Sequence, residues 1–212
     1  MSKQLNKTAL AVTVSFALYS AGVSGSLATT YQSEMASQQS DVAFCSAALD
    51  KAEKQLNDFR STYTNPRKIP TSFSEGEVKY TTPMGWTSGF VAGSFWYIYE
   101  HNKKDSWLKT ASEWTKALEK MQFNRKTHDI GFIMNNSFGN GLRLTDNKDF
   151  EPIIVSSAKT LMERFNATIG ATYSWSWGTW EFPVIIDNMM NLELLFNASI
   201  LTKDSRYYDA AV

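Results

Sequence analysis

Cysteine is almost missing from this 212-residue chain: Cys45 stands alone, so no intrachain disulfide can form. Small and apolar residues alternate around it, which predicts a buried, inert thiol on a helix face. Neither sign of charge is in excess, with 21 basic and 21 acidic residues. That balance gives no electrostatic reason to bind nucleic acid or an anionic membrane. No lysine follows Gly139-Asn140-Gly141, which argues against a phosphate loop and makes that triplet a helix end. No long apolar run is present either. Ala9 to Ala21 is broken by Thr13, Ser15 and Ser20, and is shorter than the roughly 20 residues of a membrane span. With Lys3 and Lys7 before it and Ser26-Leu27-Ala28 after it, this stretch reads as a secretory signal over residues 1–28. Cleavage is expected after Ala28 or Gly25, and the mature protein in the periplasm or outside the cell.

Aromatic residues are plentiful, with 13 Phe, 9 Tyr and 7 Trp, enough for a large core or a stacking surface. Residues 29–40 are small and polar and read as a mobile mature N-terminus. From Val42 the apolar positions Cys45, Leu49, Ala52, Leu56 and Phe59 recur at helical spacing. Residues 64–84 hold Pro66, Pro70 and Pro83 and read as a long loop. Beyond it two kinds of segment alternate. Phe90 to Tyr99, Asp129 to Asn136 and Asp187 to Leu201 are apolar on most sides. Trp107 to Met121 and Phe150 to Phe165 carry one apolar stripe each. All-round apolar helices are buried and striped ones lie outside, so this order predicts repeated helical hairpins. Strand signals are weak, the best at Glu77 to Tyr80 and Thr172 to Trp175. The chain is read as all-α.

Trp86, Asp129 and Asp187 each stand at the start of an apolar segment. An acid there costs desolvation free energy unless something uses it. Either aspartate could simply cap a helix. In a ring of inward-facing helices, however, all three starts would share one rim, where their side chains can converge on a single pocket.

Three segments carry a resemblance: Trp86-Thr87-Ser88-Gly89-Phe90, His128-Asp129-Ile130-Gly131-Phe132, and Ile185-Ile186-Asp187-Asn188-Met189-Met190-Asn191-Leu192. Together with Ser137 to Thr145, and in this order, they closely resemble the unsaturated glucuronyl hydrolase family, glycoside hydrolase family 88. The likeness runs from about residue 42 onward. It implies an (α/α)6 toroid of helical hairpins, of which residues 41–212 would form about the first half. It also implies an unsaturated oligosaccharide substrate, left by a polysaccharide lyase, and no cofactor or metal. The C4=C5 vinyl ether is protonated at C4 and hydrated at C5, so the carboxylate-spacing rule for ordinary glycosidases does not apply. Carried over, Asp187 matches the general acid/base and Asp129 the second essential acid. His128 matches a sugar-contacting residue, Trp86 a pocket tryptophan, and Trp175 or Trp177 a second stacking face. Such an acid must hold a proton near neutral pH, so burial or a neighbouring carboxylate should raise the pKa of Asp187.

Two departures stand out. Gly85 replaces the polar or acidic residue usual before the tryptophan. Family members are also far longer, and their further half supplies more His, Arg and Trp to the substrate. The chain is therefore expected to be a fragment or a truncated product, with a non-catalytic sugar-binding remnant as the alternative. A third reading takes His101, His128-Asp129 and Asp187 as the ligand order of a metal-dependent phosphohydrolase. At least one of Trp175, Trp177 and Trp180 is expected in the core.

Overall fold

The structure is a computed structural model and describes residues 25–212. It divides into two compact units, Met1–Lys51 and Ala52–Val212. Residues 1–24 of the expected signal lie outside the described residues. Helix α1 runs Gly25–Thr62 and so contains residues 29–40, the stretch read as a mobile N-terminus. In the first unit Val42, Phe44 and Cys45 are exposed, so the thiol is not buried as the sequence predicted. Helical spacing places these residues on a helix, but burial needs a packed partner, which helical spacing alone does not supply.

In the second unit the end of α1 packs through Phe59, whose ring lies 6.1 Å from those of Phe95 and Trp114. The stretch read as a long loop holds an antiparallel hairpin, β1 Ile69–Ser74 and β2 Glu77–Thr81. Its turn is Glu75-Gly76, both with positive φ (55° and 78°), a conformation that suits a two-residue hairpin and that glycine adopts without strain. The weak strand signal at Glu77 to Tyr80 falls on β2, while the prolines masked β1 and the pairing.

Helices α2 (Ser88–Asn102) and α3 (Asp105–Lys116) form the first hairpin. Phe95, Trp96 and Ile98 of α2 are fully buried, as are Trp107 and Ala111 of α3. The indole Nε1 of Trp96 donates to Thr115 Oγ1 at 2.9 Å, which satisfies a polar atom inside the core. The other face of α2 meets a π-helix, Gly131–Gly139. Gly89 makes this approach possible: a Cβ there would stand 2.3 Å from the Phe132 carbonyl oxygen.

The π-helix continues without a break into α4 (Asn140–Thr145), so Gly139-Asn140-Gly141 does not end a helix. Asn140 Nδ2 bonds back to the Asn136 carbonyl, and a Cβ on Gly141 would stand 2.6 Å from Phe150 Cε2. That glycine serves close packing instead of termination. Helix α5 (Glu151–Met162) buries Ile154, Ala158 and Leu161 and packs on the π-helix. Short strands β3 (Phe165–Asn166) and β4 (Ala171–Thr172) pair antiparallel, followed by α6 (Asn188–Asn191), α7 (Glu193–Thr202) and α8 (Ser205–Ala211). Helix α7 packs against α5 and α8. The fold is therefore built mainly of helices, and α2 and the π-helix are buried as their apolar patterns predict. The Asp187–Leu201 segment is not, since Leu194, Leu195 and Ala198 are buried but Met189, Met190 and Ile200 are exposed. No described helix is long and apolar enough to cross a membrane.

Candidate active site

The site forms where the π-helix, the start of α6 and the segment after β4 meet. Asn191 ties the first two together. Its Oδ1 accepts the Phe132 N–H at 2.8 Å and its Nδ2 donates to the Asp187 carbonyl at 3.3 Å. Gly131 lets the backbones touch: a Cβ there would lie 2.4 Å from Asn191 Cα and O. These contacts fix the separation of the two aspartates. A long π-helix is rare and tends to mark a functional region, and here it begins two residues after Asp129.

His128, Asp129 and Asp187 converge. Nε2 of the buried His128 lies 3.3 Å from Asp129 Oδ1 and 3.8 Å from Asp187 Oδ2. The carboxylates differ in surroundings. Asp129 Oδ2 accepts Thr127 Oγ1–H at 2.5 Å, and the Asp129 N–H donates back to that Oγ1 at 3.1 Å. Asp187 Oδ1 is buried with no partner, and Asp187 stands at the head of α6 without capping it. Desolvation is the largest influence on Asp187 and pushes its pKa above the ordinary carboxylate range; His128 pulls it down and Asp129 pushes it up again. The side chain of Asp129 likewise bonds to Thr127 and not to a helix N–H. Neither acid acts as a side-chain cap.

Beneath His128 runs a fully bonded floor. The His128 N–H donates to the Ser174 carbonyl at 3.3 Å. Asn188 Oδ1 is bonded to His128 Nδ1 and accepts Ser174 Oγ–H at 3.2 Å, while Asn188 Nδ2 donates to the Thr172 carbonyl at 2.6 Å. Buried Arg164 donates to the carbonyls of Tyr173, Arg125 and Ser174 at 2.7, 2.7 and 3.0 Å. Burial lowers the pKa of its guanidinium, opposed by Tyr173 and Asp129.

The aromatic residues form a rim. Trp86 is half-exposed and rests edge-on against Phe90 (5.8 Å) and tilted against Phe132 (6.0 Å). Gly85 before it carries no side chain because Thr81 Oγ1 occupies the space, 2.0 Å from where a Cβ would stand. Trp175 meets His128 edge-on at 6.2 Å and stacks on Trp177 at 4.7 Å and 11°. The two indoles therefore form one stacked pair. Trp177 and Trp180 are largely exposed and Trp175 is half-buried, so the expected core tryptophan is not among them. The segment is held by backbone bonds and by the Ser174–Asn188 contact; the indoles of Trp177 and Trp180 turn outward while Trp175 lies against His128.

Thr127, Ser174, Asn188, Asn191 and Arg164 are the site-forming residues that sequence reasoning did not single out. Asn188 and Asn191 lie inside the segment that carries the family likeness, and that was the available signal. Arg164 gave none, because its partners are carbonyls. One nitrogen and two carboxylate oxygens of His128, Asp129 and Asp187 lie within 4.8 Å of one another, a set that could hold a cation. The four-ligand phosphohydrolase reading fails on His101. That residue is at the far end of α2 from Trp86, about 20 Å away at 1.5 Å per residue.

No family model matches the chain. The unsaturated glucuronyl hydrolase of Formosa agariphila is 44% identical over 140 residues, which are 64% of this chain and 35% of that protein. An unsaturated chondroitin disaccharide hydrolase of Streptococcus pneumoniae is 26% identical over 171 residues, 77% of this chain and 42% of the relative. Among solved structures, an unsaturated glucuronyl hydrolase specific for heparin superposes with a TM-score of 0.75 at 38% identity, covering 78% of this chain and 45% of its own. The chain thus shares its sequence pattern and its helical fold, part of an α/α toroid, with the unsaturated glucuronyl hydrolases. It spans less than half the length of these relatives.

Proposed function

We propose that this chain carries the acid pair of a glycoside hydrolase that hydrates the 4,5-unsaturated uronic acid at the non-reducing end of an oligosaccharide. The meeting of His128, Asp129 and Asp187 in one cluster carries the reading, and the likeness to enzymes of that name supports it. The carboxyl of Asp187, its pKa raised chiefly by burial, gives its proton to C4. Positive charge then develops at C5 and the ring oxygen, beside the Asp129 carboxylate. Water adds at C5 and returns a proton to Asp187. The C5 hemiketal opens, the acetal carbon becomes a hemiacetal, and its collapse releases the shortened sugar. His128 contacts sugar hydroxyls, and Trp86 and the outer face of the Trp175–Trp177 stack receive the apolar face of a pyranose.

The substrate class follows the same support. A relative from Streptococcus agalactiae has been solved in complex with dGlcA-GalNAc6S. Residues 1–28, read as a signal, would send the chain to the periplasm or out of the cell. Mass analysis of the exported chain would check cleavage after Ala28 or Gly25.

A second reading, sugar binding without turnover, is favoured by a separate observation. Met189, Met190 and Ile200 on the apolar α6–α7 segment, which begins beside Asp187, are exposed, an open apolar surface that could hold a sugar face. Incubation with an unsaturated disaccharide separates the two. Loss of the ultraviolet absorbance of the double bond, abolished by Asp187→Asn, supports the hydrolase. Unchanged absorbance with saturable binding supports the second reading and overturns the first for this chain.

A further inference from the structure

We infer that Asn188 is a positioning residue that fixes His128 as the Nδ1–H tautomer and so turns a free Nε2 lone pair toward the two acids. The use of that lone pair in catalysis rests on the hydrolase reading above, whereas the tautomer rests on geometry alone.

The argument runs through groups that can play one role only. The Thr172 carbonyl can only accept, so the amide nitrogen of Asn188, 2.6 Å away, must be the group that faces it. Asn188 Oδ1 is thereby aimed at His128 Nδ1 and at Ser174 Oγ, 3.2 Å away. Ser174 Oγ already accepts the Ile185 N–H at 3.2 Å and therefore has its own proton to give. An amide oxygen only accepts, so the ring nitrogen facing it must carry a proton. Asn188 and Ser174 are buried, which keeps water from offering Nδ1 a substitute partner.

The opposite ring atom is then set. A neutral imidazole protonated at Nδ1 bears only a lone pair at Nε2, and that atom faces Asp129 Oδ1 at 3.3 Å and Asp187 Oδ2 at 3.8 Å. Asp129 Oδ2 is occupied by Thr127, Asp187 Oδ1 has no partner, and the edge of Trp175 closes the remaining side. Nε2 is thereby left as the ring atom that can take up a proton in the pocket it shares with the two acids. The opposite tautomer would put a permanent donor between the carboxylates and close that position. Asn188 never touches substrate in this account; it acts through His128.

The test reads the ring directly. The chain has two histidines, so the intact protein labelled with 15N in imidazole gives two sets of ring signals, assigned with a His101→Gln variant. Neutral His128 is expected to show a pyrrole-type Nδ1 and a pyridine-type Nε2. In Asn188→Ala these two signals should exchange places or average, while Asn188→Asp, which keeps an acceptor oxygen beside Nδ1, should retain the original pattern. A wild-type His128 protonated at Nε2 overturns the inference. So does a folded Asn188→Ala chain that keeps the Nδ1–H pattern. Should Asn188→Ala fail to fold, loss of that pattern in Asn188→Asp overturns it. None of these spectra depends on turnover, so an inactive chain would sink the hydrolase reading and leave the tautomer standing or falling by itself.

Discussion

Thr127 and Asp129 bond to each other twice: the hydroxyl donates to the carboxylate at 2.5 Å and accepts the aspartate's own N–H at 3.1 Å. The pair holds the carboxylate in one orientation, with Oδ2 on the hydroxyl and Oδ1 toward His128. Thr127→Val removes the donor while keeping the shape. A hydrogen bond to a charged group is worth about 1.5–3 kcal/mol, so kcat should fall about 10- to 100-fold. Thr127→Ser should retain most of the rate. Steady-state kinetics on the unsaturated disaccharide checks both, and equal losses in the two variants would show that the hydroxyl is not the cause.

Asp187 is arranged the other way, with one carboxylate oxygen buried and unbonded. Asp187→Asn should cost about 10²- to 10⁴-fold in rate, as loss of a general acid does. The fold should tolerate it within about 1 kcal/mol, because the amide keeps the shape and an acceptor oxygen, and the buried Oδ1 has no partner to lose. Its raised pKa also sets a sign. The folded chain holds this proton to higher pH than the unfolded chain, whose group titrates near the ordinary 3.8. The contribution to stability is therefore fully present below that value and lost as pH rises through the folded pKa. Urea midpoints of the wild type should fall relative to Asp187→Asn across that window, and activity should fall over its upper part. A wild-type midpoint that rises relative to Asp187→Asn as pH increases would contradict the burial argument.

Helix positions were legible from the sequence where a stripe or an all-round apolar run was long, as in α2, α3 and α5. Convergence of Asp129 and Asp187 was legible through the motifs around them. Of the β1–β2 hairpin only β2 was legible, at Glu77 to Tyr80; β1 and the pairing were not, because their signal is one glycine among prolines and threonines. Periodicity could not reveal the π-helix either. It depends on the tie from Asn191 to the Phe132 N–H and on the approach of Gly131, both set by a segment distant in sequence. Cys45 shows the complementary limit: helical spacing is read locally, but burial is decided by what packs there.

The exposed rim gives a prediction about affinity. Trp177 covers Trp175 on one side and is 67% exposed, so little of the fold depends on it. Trp177→Ala should raise KM about three- to tenfold, the equivalent of about 0.5–1.5 kcal/mol of ring stacking. Neither kcat nor the urea midpoint should move appreciably. A fall in kcat at unchanged KM would mean that the indole acts on the reacting ring rather than on its binding.

Gly131 is where fold and chemistry are least separable. A Cβ at this position would meet Asn191 Cα and O at 2.4 Å, and both are backbone atoms that no rotamer change can move. Gly131→Ala must therefore push the π-helix away from α6, breaking the bond from the Phe132 N–H to Asn191 Oδ1. A buried donor left without a partner costs about 1–3 kcal/mol, before the strain of the displacement is added. Asp129 precedes the displaced residue by two positions and Asp187 precedes Asn191 by four, so the acids should separate together with the helices. The expected outcome is a chain destabilised by about 2 kcal/mol or more that has also lost its turnover. Asn191→Ala removes the bond without the clash, so it should show a smaller loss of stability in the same urea titration. Equal stability losses in the two variants would mean that the close approach at Gly131 adds nothing beyond the hydrogen bond.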